Sequence, residues 1–555
     1  MIVFDIESEG LPLYSKYLVG AYASCADLET GEEVSLVGCP EKMVKVLASA
    51  LADDREIIGH NIICYDLPLL YFHTKHCQLL WDIIFSKSYH IYDTLLLSRL
   101  MYPRLRQHSV AAWTKELGIE SKVEIEDFSN VDMETLEKRV IKDVQIQFKI
   151  WDYMSNSHIP EQYKSIQDFT SLMVEMLGTG VTFDKNKAKD LETKLITEKL
   201  FLRNALQRKL PNVANFNSPK QIHEALLKKR GRGLPLSEKG NPTFNKQNQH
   251  KVAKQFPELN ALIDYKHHLT QLSFLSADGK KSFYTRLQGG SIYPSMSFCS
   301  TITYRSQYSN PPLNQMDKRL RDIVAAPDNS FLIGFDLDSL EFRVLGHGIK
   351  KELGSTDILD ELDRGNPKQK TLDVFGSLFD NVTGDKEATA KQLNYAILYG
   401  QGIASTLKLL NLDGSYKREV EEKVSERFFA VEEFKHYLLR KRYNETILNY
   451  YRQKVHVNDD TTYCIVNYYC QSSGAFYAMH IFSLLHGLLK KSYKDISPII
   501  FNHDEVNYLC REPQNERDER KVEEMLDDIH TKLKEKDEYI TSLNYNIGKN
   551  WSEIH

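Results

Sequence analysis

Hydrophobic and polar positions in this chain fall into stretches of two different periods. The opening run Ile2-Val3-Phe4-Asp5-Ile6 is apolar but for one acid and reads as a short strand. Strand and helix patterns then follow one another to about residue 157, where Ser155-Asn156-Ser157-His158-Ile159-Pro160 ends the periodicity. From about 165 to 285 the helical period dominates, interrupted by a Gly- and Pro-rich loop from Gly231 to Pro242, which suits a long antiparallel helical projection. Strand patterns return between 290 and 350, helices fill about 355 to 455, and strands are expected again near 462 to 466 and 498 to 509. A helical block inside a strand-bearing region implies one sheet domain split by an inserted helical subdomain. Neither internal repeats nor low-complexity segments are visible, so mixed α/β structure is expected throughout.

Composition narrows the class. The 555 residues have room for about three or four domains. With 42% hydrophobic and 26% charged residues and no apolar run of about eighteen, a soluble chain without a membrane span is expected. An acidic motif within the first residues leaves no space for a leader peptide, which points to the cytoplasm. Eight scattered cysteines form no C-x-x-C pair, so reduced thiols are expected rather than a zinc ribbon or a disulfide framework. The net charge of −5 averages over sites that need carboxylates and grooves that need cations, so it does not exclude nucleic acid. The basic run Lys228, Lys229, Arg230 and Arg232 reads equally as a groove or as a solvated loop.

The candidate chemistry lies in two sets of acids. Asp5 and Glu7 stand two apart on the first strand and so share one face; they repel unless a cation sits between them, although an exposed strand face is the plain alternative. Asp66 follows Gly59-His60-Asn61-Ile62-Ile63-Cys64-Tyr65, and Asp143 sits in the helical stretch Val140 to Val144. Four such acids suit two divalent ions roughly 3.5 to 4 Å apart, the arrangement that hydrolyses a phosphodiester. In the second set, the strand Phe331 to Phe335 ends in Asp336, and Asp504 is expected at a hairpin tip between Pro498-Ile499-Ile500-Phe501 and Val506-Asn507-Tyr508-Leu509. Brought together, these two would form a second two-metal site for phosphoryl transfer. Asp338 and Glu341 fit a helix capping box as well as they fit function. Lys391, Tyr395 and Tyr399 recur every four residues on one helix face, a pattern shared by packed cores and binding faces.

The order D-x-E, N-x-x-x-Y-D and a later helical acid, with the phrases GHNIICYDLPLL and YDTLLLSRLMYP, resembles the proofreading exonuclease of family A DNA polymerases, particularly the bacteriophage type. The segments FDLDSLEFR, KQLNYAILYG and HDEV are similar to motifs A, B and C of the same family, in the right order, and the ending GKNWSEIH is similar too. The resemblance covers nearly the whole chain. It implies an α/β and α+β multidomain protein: an RNase H-like 3′-5′ exonuclease over residues 1–160, a thumb over 161–290, a palm in two parts over 291–355 and 456–555, and fingers over 356–455.

By the same resemblance, Asp5, Glu7, Asp66 and Asp143 hold the exonuclease metals, and Asp336 and Asp504 hold the polymerase metals with Leu337 beside them and Glu505 in support. Two Mg2+ ions per site are implied, with Mn2+ as a substitute. Lys391 and Lys368 would meet the triphosphate, Tyr395 and Tyr399 would flank the incoming base and the template, and Glu341 would wall off the sugar 2′ position. Arg305, Asn467, Gln471 and His503 would touch DNA, Arg305 lying in a block similar to T-x-T-G-R. Donors in the minor groove test pairing without reading sequence. The implied partners are primer-template DNA and dNTPs, with a helicase, primase or other replisome proteins. No thioredoxin-recruiting insertion interrupts residues 191–221, and no separate 5′-nuclease domain is expected. Four positions depart from the family pattern: Arg139 stands where a tyrosine is usual, Tyr304 where a glycine is, Glu387 where an arginine is, and Lys368, in Gly365-Asn366-Pro367-Lys368, where a histidine is. Lys386 or Arg364 would then have to replace the missing arginine.

Overall fold

A computed structural model describes residues 1–8, 18–30, 34–127, 131–237, 239–245, 248–364, 366–382, 384–493, 495–511, 516–536 and 543–555; Gly365 of the Lys368 segment lies outside them. The described chain is mixed α/β and rich in helix. It divides into one unit of residues Met1–Thr179, Met296–Gln307 and Gly334–Tyr545, and another of Gly180–Ser295, Tyr308–Ile333 and Asn546–His555.

In the first unit, a five-stranded sheet has the order β3-β2-β1-β4-β5, with β1 Ile2–Ser8, β2 Leu18–Ser24, β3 Ser35–Val37, β4 Ile57–Gly59 and β5 Ile91–Asp93. The central β1 runs antiparallel to β2, with Asp5 opposite Ala21 and Glu7 opposite Val19, and parallel to β4. Its near-continuous apolar run is explained by burial on both faces, Val3 and Phe4 being fully enclosed. Helix Met133–Ser155 packs on β1 and β2. Its buried residues Leu136, Val140, Val144 and Ile150 follow the helical period, and the Asp132 carboxylate caps its start by accepting from the Thr135 amide.

A second sheet orders strands Ile496–Asn502, Glu505–Arg511, Ser330–Leu337 and Leu543–Gly548; the division between the units falls inside the last two. The first two form a hairpin, Asn502 opposite Glu505, whose tip is His503 and Asp504. His503 takes φ +64, the left-handed conformation that a two-residue turn demands. Helices Tyr163–Thr179 and Ile465–Ser492 pack together, and the buried Glu175 meets Lys490 Nζ at 2.9 Å between them.

Three local expectations are corrected. Residues 462–466 are helical, not strand: the 3-10 turn Asp459–Cys464 leads straight into helix Ile465–Ser492. That helix buries Ile465, Val466, Tyr469 and Cys470, so packing overrides the strand preference of its β-branched and aromatic start. The expected helical run to 455 is broken by a small hairpin of Thr446–Leu448 with Lys454–His456. Residues Leu340–Leu353, within the expected strand region, are helix.

In the other unit, the long helices Lys185–Lys209 and Asn260–Leu275 lie against each other. A core of Leu206, Phe216, Ile222, Leu226, Leu259 and Leu262 fills this unit. Lys228, Lys229 and Arg230 end helix Pro219–Arg230, where cations complement the helix dipole. Two of them are also spent on Glu258, Arg230 at 2.6 Å and Lys229 at 3.5 Å.

Candidate active sites

Strand alternation puts Asp5 and Glu7 on one face of β1, and helix Met133–Ser155 lays Asp143 over it; ligand oxygens of the three lie within 4.8 Å of one another. Asp66 begins helix Asp66–Thr74 and is tied to the same strand, its Oδ1 accepting from the Ile6 amide at 2.8 Å. One turn beyond Asp143, Gln147 Nε2 donates to Asp5 Oδ1 at 2.6 Å. Burial, then the charges of Asp66, Asp143 and Glu7, raise the Asp5 carboxyl well above its usual range. Asp66 is raised chiefly by burial, and Asp143 is pushed up to about 7 by burial and Glu7. Asp5 Oδ2 and Asp143 Oδ1 are buried and accept no hydrogen bond. Enclosed carboxylates that repel one another and keep unused oxygens are what a divalent cation would satisfy.

Two further residues shape this site. The fully buried Asp93 accepts from the amides of Asn61 (2.9 Å), Ile63 (3.2 Å), Leu95 (3.0 Å) and Leu96 (3.3 Å), so it caps helix Thr94–Met101 and fastens the loop that leads to Asp66. Aspartate directly before a helical run is the trace it leaves in the sequence. The other is Arg139. Its buried guanidinium holds Glu7 Oε1 at 2.5 Å from Nε, donates from Nη1 to the Val123 carbonyl at 2.7 Å, and stands 3.8 Å from Asp143 Oδ2.

At the second site, the Leu337 amide donates to the Asp504 carbonyl at 2.9 Å, which sets Asp336 and Asp504 on adjoining strand ends. Burial, then the Asp336 charge, raises the Asp504 carboxyl to about 6, although the residue keeps an exposed surface at the hairpin tip. Glu505 is buried and accepts from Asn507 Nδ2 at 2.6 Å. The His503 imidazole is lowered to about 4 by burial and by Arg305. Arg305, Glu341, Gln471, His503 and Asp504 line one pocket.

Glu341 does not join a capping box. The start of helix Leu340–Leu353 has Ser339 as its cap, at φ +53, with no side-chain bond. Instead Glu341 Oε1 accepts from Arg305 Nη2, and Oε2 accepts from the Tyr399 hydroxyl at 2.9 Å. Tyr395 packs edge-on to Phe342, ring centres 5.2 Å apart, and its phenol is raised by burial and by the charges of Glu341 and Asp504. Gln471 accepts from the Thr303 hydroxyl at 3.3 Å, with Asn467 one turn before it on helix Ile465–Ser492.

Lys391 is exposed one turn before Tyr395 on helix Lys386–Leu398, and Lys368 lies in the first turn of helix Pro367–Phe375. A Thr371–Asn394 side-chain bond of 2.6 Å joins these two helices. Among the described residues, neither lysine makes an ion pair with the carboxylates above. Glu387 stands in the first turn of its helix, where an acid complements the dipole, and Lys386 pairs with Asp380 at 2.9 Å. Tyr304, in the usual glycine place, adopts φ +61 and is held there by its hydroxyl, which bonds the Lys454 carbonyl and Gln453 Nε2, and by packing on Phe476.

Among the described residues, no helix is long and apolar enough to cross a membrane. The solved POL domain of Pol1 from M. smegmatis, in complex with DNA primer-template and dNTP, has the same fold: TM-score 0.72 at 15% identity, over 99% of this chain and 96% of that one. The DNA polymerase I of Pseudomonas aeruginosa is 22% identical over 474 residues, covering 78% of this chain and 49% of the relative. That of Aquifex aeolicus is 24% identical over 325 residues, covering 56% and 53%. The chain thus spans about half the length of the curated relatives it matches. The family model for DNA polymerase family A matches residues 185–553, which include Asp336, Glu341, Tyr395 and Asp504, and the chain belongs to that family.

Proposed function

We propose that the chain extends a primer 3′ end with dNTPs on a DNA template, and that its N-terminal carboxylate site removes nucleotides from the same end. The observation that carries the first part is the Leu337-to-Asp504 main-chain bond, which holds two acids at adjoining strand ends beside the pocket of Arg305, Glu341 and Gln471. In this reading Asp336 and Asp504 are metal ligands, with the Leu337 carbonyl beside them and Glu505 in support. Tyr395 and Tyr399 face the incoming nucleotide, Lys391 and Lys368 attract its phosphates, and Glu341 excludes a 2′ hydroxyl. Arg305, Asn467, Gln471 and His503 meet the DNA. Residues 1–160 act as the exonuclease, 161–290 as thumb, 291–355 and 456–555 as palm, and 356–455 as fingers, in a phage-type replicative polymerase of the host cytoplasm.

The unused oxygens of Asp5 and Asp143 support a cation at the N-terminal site. Bound Mg2+, or Mn2+ in its stead, would supply an activated nucleophile and neutralise developing charge at each site. The Ile6 amide orients Asp66, and Gln147 orients Asp5, for that task. The test uses one end-labelled primer-template, with and without dNTPs. Asp336→Ala or Asp504→Ala should abolish extension and leave degradation, and Asp5→Ala with Glu7→Ala should do the reverse. Loss of both activities in either protein would refute two separate sites, and no extension by the unaltered chain would refute the polymerase.

A further inference from the structure

We infer that Arg139 is a built-in cation that occupies the place of one divalent ion in the N-terminal carboxylate site, so that this site takes up a single ion. The inference rests on the nuclease reading above, and it concerns how this chain differs from a site of four acids alone. Arg139 lies one helical turn before Asp143 on helix Met133–Ser155 and points at the same carboxylates. Its side chain is only 7% exposed, and a guanidinium stays protonated under all ordinary conditions, so its charge is a fixed part of the site.

The geometry assigns particular oxygens. Glu7 Oε1 is taken by Arg139 Nε at 2.5 Å, and Asp143 Oδ2 lies within 3.8 Å of the same nitrogen. The Val123 carbonyl anchors Nη1 from behind, so the guanidinium is held on two sides. Asp66 Oδ1 is used by the Ile6 amide and Asp5 Oδ1 by Gln147. Asp5 Oδ2 and Asp143 Oδ1 are both buried without a hydrogen bond, in residues 8% and 5% exposed. Those two atoms mark one ligand set. A second ion would have to share Glu7 with a fixed positive charge about 4 Å away, in a setting where water screens little. A tyrosine in place of Arg139 would impose no such cost.

The measurement is the number of Mn2+ ions bound by the full chain, read from loss of the free-ion electron paramagnetic resonance signal at mildly alkaline pH. Asp336→Ala and Asp504→Ala are present in every protein compared, so that the polymerase site does not contribute. With Arg139 present, one ion is expected. Arg139→Gln should bind two, the second at least about tenfold tighter than any second ion in the Arg139 protein, and Arg139→Lys should return the count to one. Equal counts for the Arg139 protein and its Arg139→Gln variant, or two tight ions with Arg139 alone, would overturn the proposal; the latter needs no variant to fold. Arg139→Met, checked by its thermal transition, serves where the glutamine protein unfolds. No binding by any of these proteins, together with no degradation of a labelled strand, would remove the nuclease reading itself. Degradation with two ions in the Arg139 protein would remove only the role of Arg139.

Discussion

The Asp143 carboxyl offers a direct test of the N-terminal site through stability. An aspartate in the unfolded chain ionises near 3.8, whereas the folded protein holds the Asp143 proton up to about 7 because of burial and Glu7. The folded state therefore binds a proton that the unfolded state has already released, and stability is lost as pH rises between those values. The displacement of about three pH units sets a ceiling of about 4 kcal/mol. Asp5 and Asp66 titrate jointly with Asp143, which spreads the change over the group, so roughly 2 kcal/mol is expected for this residue. The assay is urea unfolding in a chelating buffer, from about pH 5 to pH 8, for the unaltered protein and Asp143→Asn. The variant cannot ionise there, and its advantage should widen toward alkaline pH by that amount. With Asp336→Ala and Asp504→Ala present in both proteins, adding Mn2+ at about a hundred times its dissociation constant should restore about 2.7 kcal/mol only where Asp143 is intact. A stability gap that is flat with pH, or that widens toward acid, would show that the buried proton does not exist.

Asp66 and Asp504 should respond differently to truncation: Asp66→Ala removes a buried acceptor from the Ile6 amide and should cost about 1.5 to 3 kcal/mol in chelating buffer, whereas Asp504→Ala should leave unfolding midpoints nearly unchanged, and equal losses would contradict the geometry. Glu341→Ala should raise incorporation of ribonucleotides relative to deoxyribonucleotides in single-nucleotide extension, while Glu341→Gln, which keeps the volume, should retain sugar selection; the same selectivity in all three proteins would refute the wall. Tyr395→Phe should weaken termination by dideoxynucleotides, read as longer products at a fixed ratio of terminator to dNTP, and identical ladders would count against a role for its hydroxyl.

The sequence pattern served best where burial and local geometry agree. The apolar run around Asp5 became a strand enclosed on both faces, and the His503-Asp504 turn became a hairpin tip, because each depends on a period of two and a short connection. It failed at residues 462–466, where a helix buried over most of its surface has no polar face to reveal its period. The capping-box reading of Asp338 and Glu341 could not have been settled locally: Glu341 is claimed by Arg305 and Tyr399, 36 and 58 positions away in sequence. Arg139 shows the same limit from the other side. Its identity was visible as a departure, but that its charge faces Glu7 depends on how helix Met133–Ser155 crosses β1.

Both acid sets are assembled by one device, used in two ways. In each, the residue after the first aspartate gives its amide to the second: Ile6 after Asp5 to Asp66, and Leu337 after Asp336 to Asp504. A main-chain donor is fixed by the strand itself, so the two acids are held in register whatever happens to neighbouring side chains. The acceptors differ. Asp66 spends a carboxylate oxygen on the bond, which makes it partly a structural residue; Asp504 accepts through its carbonyl, so its carboxylate stays out of that bond. The first arrangement suits an enclosed site whose charge is already partly met by Arg139 and Gln147. The second suits an exposed hairpin tip, where, in the function proposed above, a carboxylate would have to remain available to cations arriving with a substrate.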